Sequence, residues 1–204
     1  MGCGSTEEKP NEINPEQIIV TSGKDKIDNK EKQENSANQN KILVMKQQPK
    51  SKAKIKKFIE DALQKHNELR KDHGSGPLIL SEDLNKIAQE YSEYLAKIDE
   101  MKHSKNTYKG DDLGENLFCC SGTEIQGEYM TMSWYNEIND YDFNNPGFKS
   151  GTGHFTQLIW KDTEQVGFGF SYSKSGKYYG VANYYPAGNI NTKEEFSKNV
   201  LKKL

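Results

Sequence analysis

The chain has 204 residues, 28% of them charged, and a formal net charge of −2 at pH 7. This balance gives no reason to expect a nucleic-acid partner, and no apolar run approaches the ~20 residues that a membrane-spanning helix requires. No aromatic residue precedes Phe58, so the first fifty residues have little with which to build a core. We therefore predict a disordered tail over residues 1–50 and one folded domain over residues 51–204.

The tail carries signals for membrane attachment. The chain begins M-G-C-G-S-T, which fits the N-myristoylation pattern at Gly2 and places Cys3 for palmitoylation. One acyl chain binds membranes only weakly, so a second signal is needed. Cys3 could supply it, and so could the run Lys46–Lys57, which has six lysines and no acid. A solvated helix start is an equally good interpretation of that lysine run.

Cysteine use is sparse, with Cys3, Cys119 and Cys120 only. Adjacent cysteines rarely bridge each other, so no disulfide framework is expected, and this favours a reducing compartment. We interpret Cys119 and Cys120 as small core or rim residues, with a redox role as the alternative.

Two amphipathic helices open the folded domain. Ser51 is the candidate N-cap of the first, which should run through the apolar stripe Ile55–Leu69 and stop near Asp72, before the glycines of H-G-S-G-P. His66 lies on the apolar face of this helix and is expected to be a core histidine bonded to backbone. Ser81 caps the second helix, whose stripe of Tyr and Leu is core rather than a cofactor site.

The remaining elements complete the domain. A third helix is predicted over Glu124–Asn139. Ser150–Trp160 then reads S-G-T-G-H-F-T-Q-L-I-W, an irregular glycine-rich turn that presents an imidazole and is anchored by apolar side chains. Alternation in Gln165–Ser173 and Lys177–Pro186 predicts a β-hairpin around S-K-S-G, and Glu194–Leu201 forms a short closing helix. This order indicates an α+β domain with helices covering an antiparallel sheet.

Four titratable side chains stand at loops or helix ends beside apolar anchors, namely His103, Glu115, Glu137 and His154. Imidazole with carboxylate suits zinc and other borderline divalent ions. No H-x-x-x-H pattern brings the four together, so a shared site does not follow from their spacing alone. Buried His–Glu pairs that only hold loops together are the alternative.

Five ordered motifs resemble the CAP superfamily, which groups cysteine-rich secretory proteins, antigen 5 and plant pathogenesis-related proteins. They are H-N-E-L-R, K-H-S, G-E-N-L, G-H-F-T-Q-L-I-W-K-D-T and A-N-Y-Y-P-A-G-N-I, and the resemblance covers Phe58 to the C-terminus. It implies a three-layer α–β–α sandwich with a central antiparallel sheet. It also implies a groove of two His and two Glu, able to hold a divalent cation such as zinc or magnesium, on His103, Glu115, Glu137 and His154.

One departure from the secreted members concerns a cysteine, since Ala182 stands where they carry one before N-Y-x-P-x-G-N. Together with the Met-Gly start, this resembles the myristoylated, Golgi-associated branch of the superfamily. That resemblance implies attachment to the cytoplasmic face of the Golgi or plasma membrane, binding of acidic membrane lipids, homodimerisation and no established catalysis. An extracellular location, as in most of the family, is the alternative, and the sequence identifies no partner protein.

We therefore predict a non-enzymatic, membrane-tethered protein that binds lipids or partner proteins through the groove. A carrier of sterols or fatty acids is one alternative, and it needs an apolar cavity between helices. A metal-dependent hydrolase or protease is the other. The hydroxyls near the groove have more ordinary interpretations as turn and cap residues; they belong to Ser104, Ser150 and Thr156.

Overall fold

The structure is a computed structural model that describes residues 52–204, all of which lie in one compact unit. The predicted acylation sites, the Ser51 cap and the first part of the lysine run lie outside the described residues. None of the described helices is long and apolar enough to cross a membrane. In chain order the elements are α1 (residues 52–72), β1 (Ile79–Leu80), α2 (Glu82–Ile98), β2 (Thr107–Tyr108), β3 (Asp111–Asp112), β4 (Gly114–Ser121), α3 (Gly127–Tyr135), a 3-10 helix (Asn136–Asp140), α4 (Gly153–Ile159), β5 (Gln165–Tyr172), β6 (Lys177–Tyr185) and α5 (Lys193–Asn199).

Capping and periodicity explain the first two helices. α1 follows the predicted apolar stripe and ends where Gly74 takes a φ of 67°, which a residue with a side chain rarely adopts. α2 begins after Ser81, whose hydroxyl accepts a hydrogen bond from the Leu84 amide at 3.4 Å. Both helices therefore agree with the prediction. His66 is the buried core histidine that was expected, with Nδ1 2.8 Å from the Ala62 carbonyl oxygen.

Within the described residues, the main sheet has four strands in the order β1-β5-β6-β4. The predicted hairpin is confirmed, because β5 and β6 pair antiparallel with Phe168 opposite Ala182. Two corrections concern the edges of the sheet. β1 pairs parallel to β5, so the sheet is mixed rather than antiparallel throughout. Glu115, expected at a loop or helix end, lies instead in strand β4, which pairs antiparallel with β6.

Helices cover both faces of this sheet. On one face α2 approaches β5 so closely that any side chain at Gly167 or Gly169 would collide with the helix backbone. Leu95 and Val181 are buried in the core between these two layers. On the other face α1, α3 and α4 pack over a larger core that contains Trp134. The predicted three-layer α–β–α sandwich of the α+β class is therefore confirmed.

The third helix and the glycine-rich turn differ from the prediction. α3 is shorter than expected, and the chain continues as the 3-10 helix, where the Asn139 side chain donates to the Asn136 carbonyl and so competes with helical hydrogen bonding. His154 lies in the first turn of α4 and not on an irregular turn. Its apolar anchors are fully buried, as expected, and they include Phe155 and Trp160. The helix α5 closes the chain as predicted.

Candidate functional site

The four residues singled out in the sequence line one cleft of about 280 Å³. Each comes from a different element. His103 lies in the loop between α2 and β2, Glu115 in β4, Glu137 in the 3-10 helix and His154 in α4. The rest of the lining consists of Asn116, Phe148, Ser150, Gly151, Gly153 and Asn189. The fold therefore brings together residues that the sequence spacing left unconnected.

The first pair in the cleft joins His103 to Glu115. Nδ1 of His103 lies 2.8 Å from Oε1 of Glu115, which also accepts a hydrogen bond from the Ser104 amide at 2.9 Å. The hydrogen bond to Glu115 raises the pKa of His103 above its ordinary value. Burial works to raise the pKa of Glu115, but the hydrogen bonds from His103 and Ser104 outweigh it and hold that pKa low. This pair therefore favours the charged form of both partners.

The second pair joins His154 to Glu137. Nδ1 of His154 lies 2.6 Å from Oε1 of Glu137. The other oxygen, Oε2, accepts from the backbone amides of His154 at 2.9 Å and Phe155 at 3.1 Å. Thr152, the residue before α4, makes no capping hydrogen bond with its side chain, so the Glu137 carboxylate supplies the cap from another element. The Trp134 ring stacks on the imidazole of His154, with centroids 6.1 Å apart.

Both histidines are therefore held in the same way. Because each Nδ1 faces a carboxylate, the proton of a neutral imidazole resides on Nδ1, and Nε2 keeps its lone pair. Among residues 52–204, neither His103 Nε2 nor His154 Nε2 has a hydrogen-bond partner. In the same residues, no group of three or more His, Cys, Asp or Glu side chains is arranged to hold a metal ion. That these four side chains together form one cation site stays a prediction.

Two asparagines that sequence reasoning missed fix the backbone around the cleft. Asn116 donates from Nδ2 to the His154 carbonyl oxygen at 3.0 Å. Asn189 donates from Nδ2 to the Gly153 carbonyl oxygen at 2.9 Å and accepts from the Thr156 hydroxyl at 2.6 Å. Asn116 belongs to G-E-N-L and Asn189 to P-A-G-N-I. The two motifs that contain them were noticed in the sequence, but nothing in the chain's spacing showed that both side chains reach α4.

A buried arginine, also missed, holds the other end of α4. Arg70 is fully buried and, within residues 52–204, donates to backbone carbonyls and to no carboxylate. Burial lowers its pKa to about 10. Since one guanidinium joins α1 to the end of α4 and the loop beyond it, Arg70 fixes the helix that carries His154. The carbonyl acceptors belong to Gly76, Leu158, Trp160 and Thr163.

A second, larger groove of about 460 Å³ lies between α1 and α2. It shares no lining residue with the cleft. Its floor is apolar, and its lining contains no histidine. Cys119 and Cys120 are half-buried free thiols beside the two cores, which agrees with their interpretation as core or rim residues. The apolar residues that line the groove are Ile55, Ile59, Leu80 and Phe168.

A three-layer α–β–α sandwich with two His–Glu pairs facing one cleft defines the class of this protein. Residues 63–184, more than half of the chain, match the family model described as CAP, cysteine-rich secretory protein family. The chain belongs to this family, as its motifs indicated.

Individual relatives agree with this assignment. The chain is 43% identical over 150 residues to human Golgi-associated plant pathogenesis-related protein 1, covering 74% of this chain and 96% of that protein. It is 37% identical over 147 residues to Protein PRY2 of Saccharomyces cerevisiae, covering 71% of this chain and 41% of that protein. The crystal structure of NaASP2 with Zn2+ is similar in fold, with a TM-score of 0.57 and 26% sequence identity over 72% of this chain and 86% of the other.

Proposed function

We propose that this CAP-family protein is a non-enzymatic binding protein whose cleft takes a divalent cation of the zinc type. One observation carries the proposal: His103 and His154 line the same cleft, and each has Nδ1 held by its own glutamate. Imidazoles held by carboxylates are the usual form of histidine ligands to zinc. A relative of 26% identity, NaASP2, has a crystal structure with Zn2+, which supports the same ion here.

The chemistry of the donor set favours zinc over magnesium. Two imidazole nitrogens suit a borderline ion, whereas Mg²⁺ takes oxygen ligands in a strict octahedron. His103 and His154 would bind through Nε2, while Glu115 and Glu137 would orient the two rings. A bound cation would supply positive charge for an anionic group of a lipid or a partner protein.

A titration with ZnCl₂ followed by isothermal calorimetry tests this cation site. The purified chain should bind Zn2+, and His103→Ala or His154→Ala should each raise the dissociation constant at least ten-fold. Loss of a residue that only supports a metal ligand already weakens metal binding by about ten-fold or more. Lys149→Ala, an exposed change outside both pairs, is the control and should leave the affinity unchanged. Equal affinity in wild type and both histidine variants would end the proposal.

The second part of the proposal places the protein at the cytoplasmic face of a membrane, the Golgi being the first candidate. Gly2 and Cys3 fit the acylation pattern, and the human relative is named Golgi-associated. In the described part of the lysine run, Lys52, Lys54 and Lys56 are exposed at the start of α1 and can face anionic lipid. Binding of acidic lipids and homodimerisation belong to this part, and an extracellular location is its alternative.

Metabolic labelling with a myristate analogue tests the tether. Wild type should incorporate the label and sediment with membranes, and Gly2→Ala should lose both properties. Gly4→Ala keeps the acceptor glycine and is the matched control, so it should behave as wild type. An unlabelled wild type recovered from the medium would overturn the location and favour the extracellular alternative.

The apolar groove between α1 and α2 favours a second candidate function, the carriage of a sterol or fatty acid. About 460 Å³ of space over an apolar floor suits one such molecule. Binding of a fluorescent fatty acid to delipidated protein should then be lost in Ile59→Lys and retained in His154→Ala. Retention in both variants would exclude this groove as the binding site.

A further inference from the structure

Two neighbouring side chains behind the cleft have buried polar atoms without partners. Glu115 Oε2 and both amide atoms of Asn183 are buried, and none has a hydrogen-bond partner within residues 52–204. Asn183 is fully buried. Buried polar atoms in folded proteins are nearly always hydrogen-bonded, to protein or to ordered water, so each exception calls for a partner. Here three such atoms belong to only two residues.

The strand register brings these two residues side by side. Glu115 in β4 lies directly opposite Asn183 in β6. Directly opposite residues of an antiparallel pair share one face of the sheet, with Cβ atoms roughly 4.5–5.5 Å apart. This face points toward α2, since Val181, two residues before Asn183 on the same strand, is buried in the core that α2 covers. The unpartnered atoms therefore lie on one side of the sheet, under the same helix.

The other flank of Asn183 carries no side chain. The residue opposite Asn183 on β5 is Gly167, which has no side chain. The backbone of α2 at Leu84 packs directly on Gly167, and the Asn183 side chain is closed off from bulk solvent. Three buried, unpaired acceptor and donor atoms on adjacent strands are the polar partners that one internal water needs.

We propose that a buried water molecule bridges Glu115 Oε2 and the Asn183 amide, and that Asn183 is thereby a positioning residue for the His103–Glu115 pair. The water donates one hydrogen to Oε2 and accepts one from Nδ2 of Asn183. The carboxylate is then held at both oxygens: at Oε1 by His103 and Ser104, and at Oε2 through the water. Rotation of the carboxylate, which would release His103, is thereby opposed from the neighbouring strand β6 on the same face of the sheet.

A crystal structure of the full chain at high resolution tests the water directly. We expect density for one ordered water within hydrogen-bonding distance of Glu115 Oε2 and the Asn183 amide. Absence of that density, or a direct hydrogen bond between the two side chains, would overturn the proposal. This measurement does not depend on metal binding.

Zinc titration tests the positioning role, and this part rests on the proposed function. Asn183→Leu, which keeps the volume and removes the amide, should weaken Zn2+ binding about ten-fold, and Asn183→Ser should restore part of the loss. Asn199→Leu is the matched control, because Asn199 is also fully buried but bonds to the Asp162 amide, away from the cleft. It should lower stability without changing zinc affinity.

The outcomes separate the two proposals. If wild type binds no zinc, the cation site fails, and the crystallographic water alone decides the role of Asn183. If wild type binds zinc and Asn183→Leu binds it equally well, the positioning role is wrong. If Asn183→Leu does not fold, Asn183→Ser and the water density remain as tests.

Discussion

The carboxylate of Glu137 caps α4 from a different element, and its removal gives the sharpest test of how the cleft is held. Three hydrogen bonds end on this side chain, from His154 Nδ1 and from the amides of His154 and Phe155. Hydrogen bonds to a charged group contribute about 1.5–3 kcal/mol each when buried. The Glu137 side chain is 21% exposed, so water replaces part of the loss. We expect Glu137→Ala to lower the free energy of unfolding by roughly 2–3 kcal/mol.

Thermal denaturation followed by circular dichroism measures this effect. For a domain of this size, each kcal/mol shifts Tm by roughly 2–4 °C, so Glu137→Ala should melt roughly 4–12 °C below wild type. Glu128→Ala is the control, since Glu128 is an exposed carboxylate in α3 whose one ion pair among the described residues is with Lys65, and the Tm of this variant should stay near that of wild type. If Glu137→Ala and Glu128→Ala melt at the same temperature, the capping account of Glu137 is wrong.

Three further predictions concern the supports of the cleft and the fold. Arg70→Met removes four hydrogen bonds to backbone carbonyl oxygens, of which, among the described residues, only the Trp160 oxygen is known to keep another donor, the Thr163 amide. It should lower the free energy of unfolding by at least ~3 kcal/mol in urea denaturation, with Lys71→Met as an exposed control. The raised pKa of His103 and the lowered pKa of Glu115 should make this pair most stabilising between their ordinary values of 4.5 and 6.5. The His103 contribution to stability is lost as pH rises through its raised pKa, and the Glu115 contribution is lost as pH falls through its lowered pKa. If the urea midpoint of Glu115→Gln changes with pH in the same way as that of wild type, this prediction is wrong. Gly169→Ala should lower the free energy of unfolding by ~1–3 kcal/mol in the same assay, because the added methyl meets the α2 backbone. Gly147→Ala is the control and should keep the stability of wild type, because the added methyl meets no atom within 4 Å and Gly147 has no positive φ.

The helices and the hairpin could be predicted because their patterns are local. Ser81 is a cap that is followed at once by a 3.6-residue repeat, and β5 and β6 alternate around a four-residue turn. Strand β4 was missed because it has no alternation to detect. Leu117 points into the core under α2 and Phe118 into the opposite core, so consecutive residues are both apolar. β1 was missed because two residues cannot show a period.

The candidate site was predictable only in part. The four side chains could be named from motifs, but which glutamate meets which histidine depends on tertiary packing. Glu137 lies seventeen residues before His154, and only the shortening of α3 into a 3-10 helix brings its carboxylate to the start of α4. Arg70 joins α1 to the end of α4, and Asn183, the proposed support of Glu115, lies on the neighbouring strand; no local pattern marks such contacts.

Anomalous diffraction at the zinc edge, from crystals of the chain grown with Zn2+, tests the central claim most directly. The account predicts one anomalous peak in the cleft, roughly 2.0–2.1 Å from Nε2 of both His103 and His154, with Glu115 and Glu137 still bound to the two Nδ1 atoms. No peak in the cleft, or a peak bound by the carboxylates while the imidazoles stay free, would contradict it.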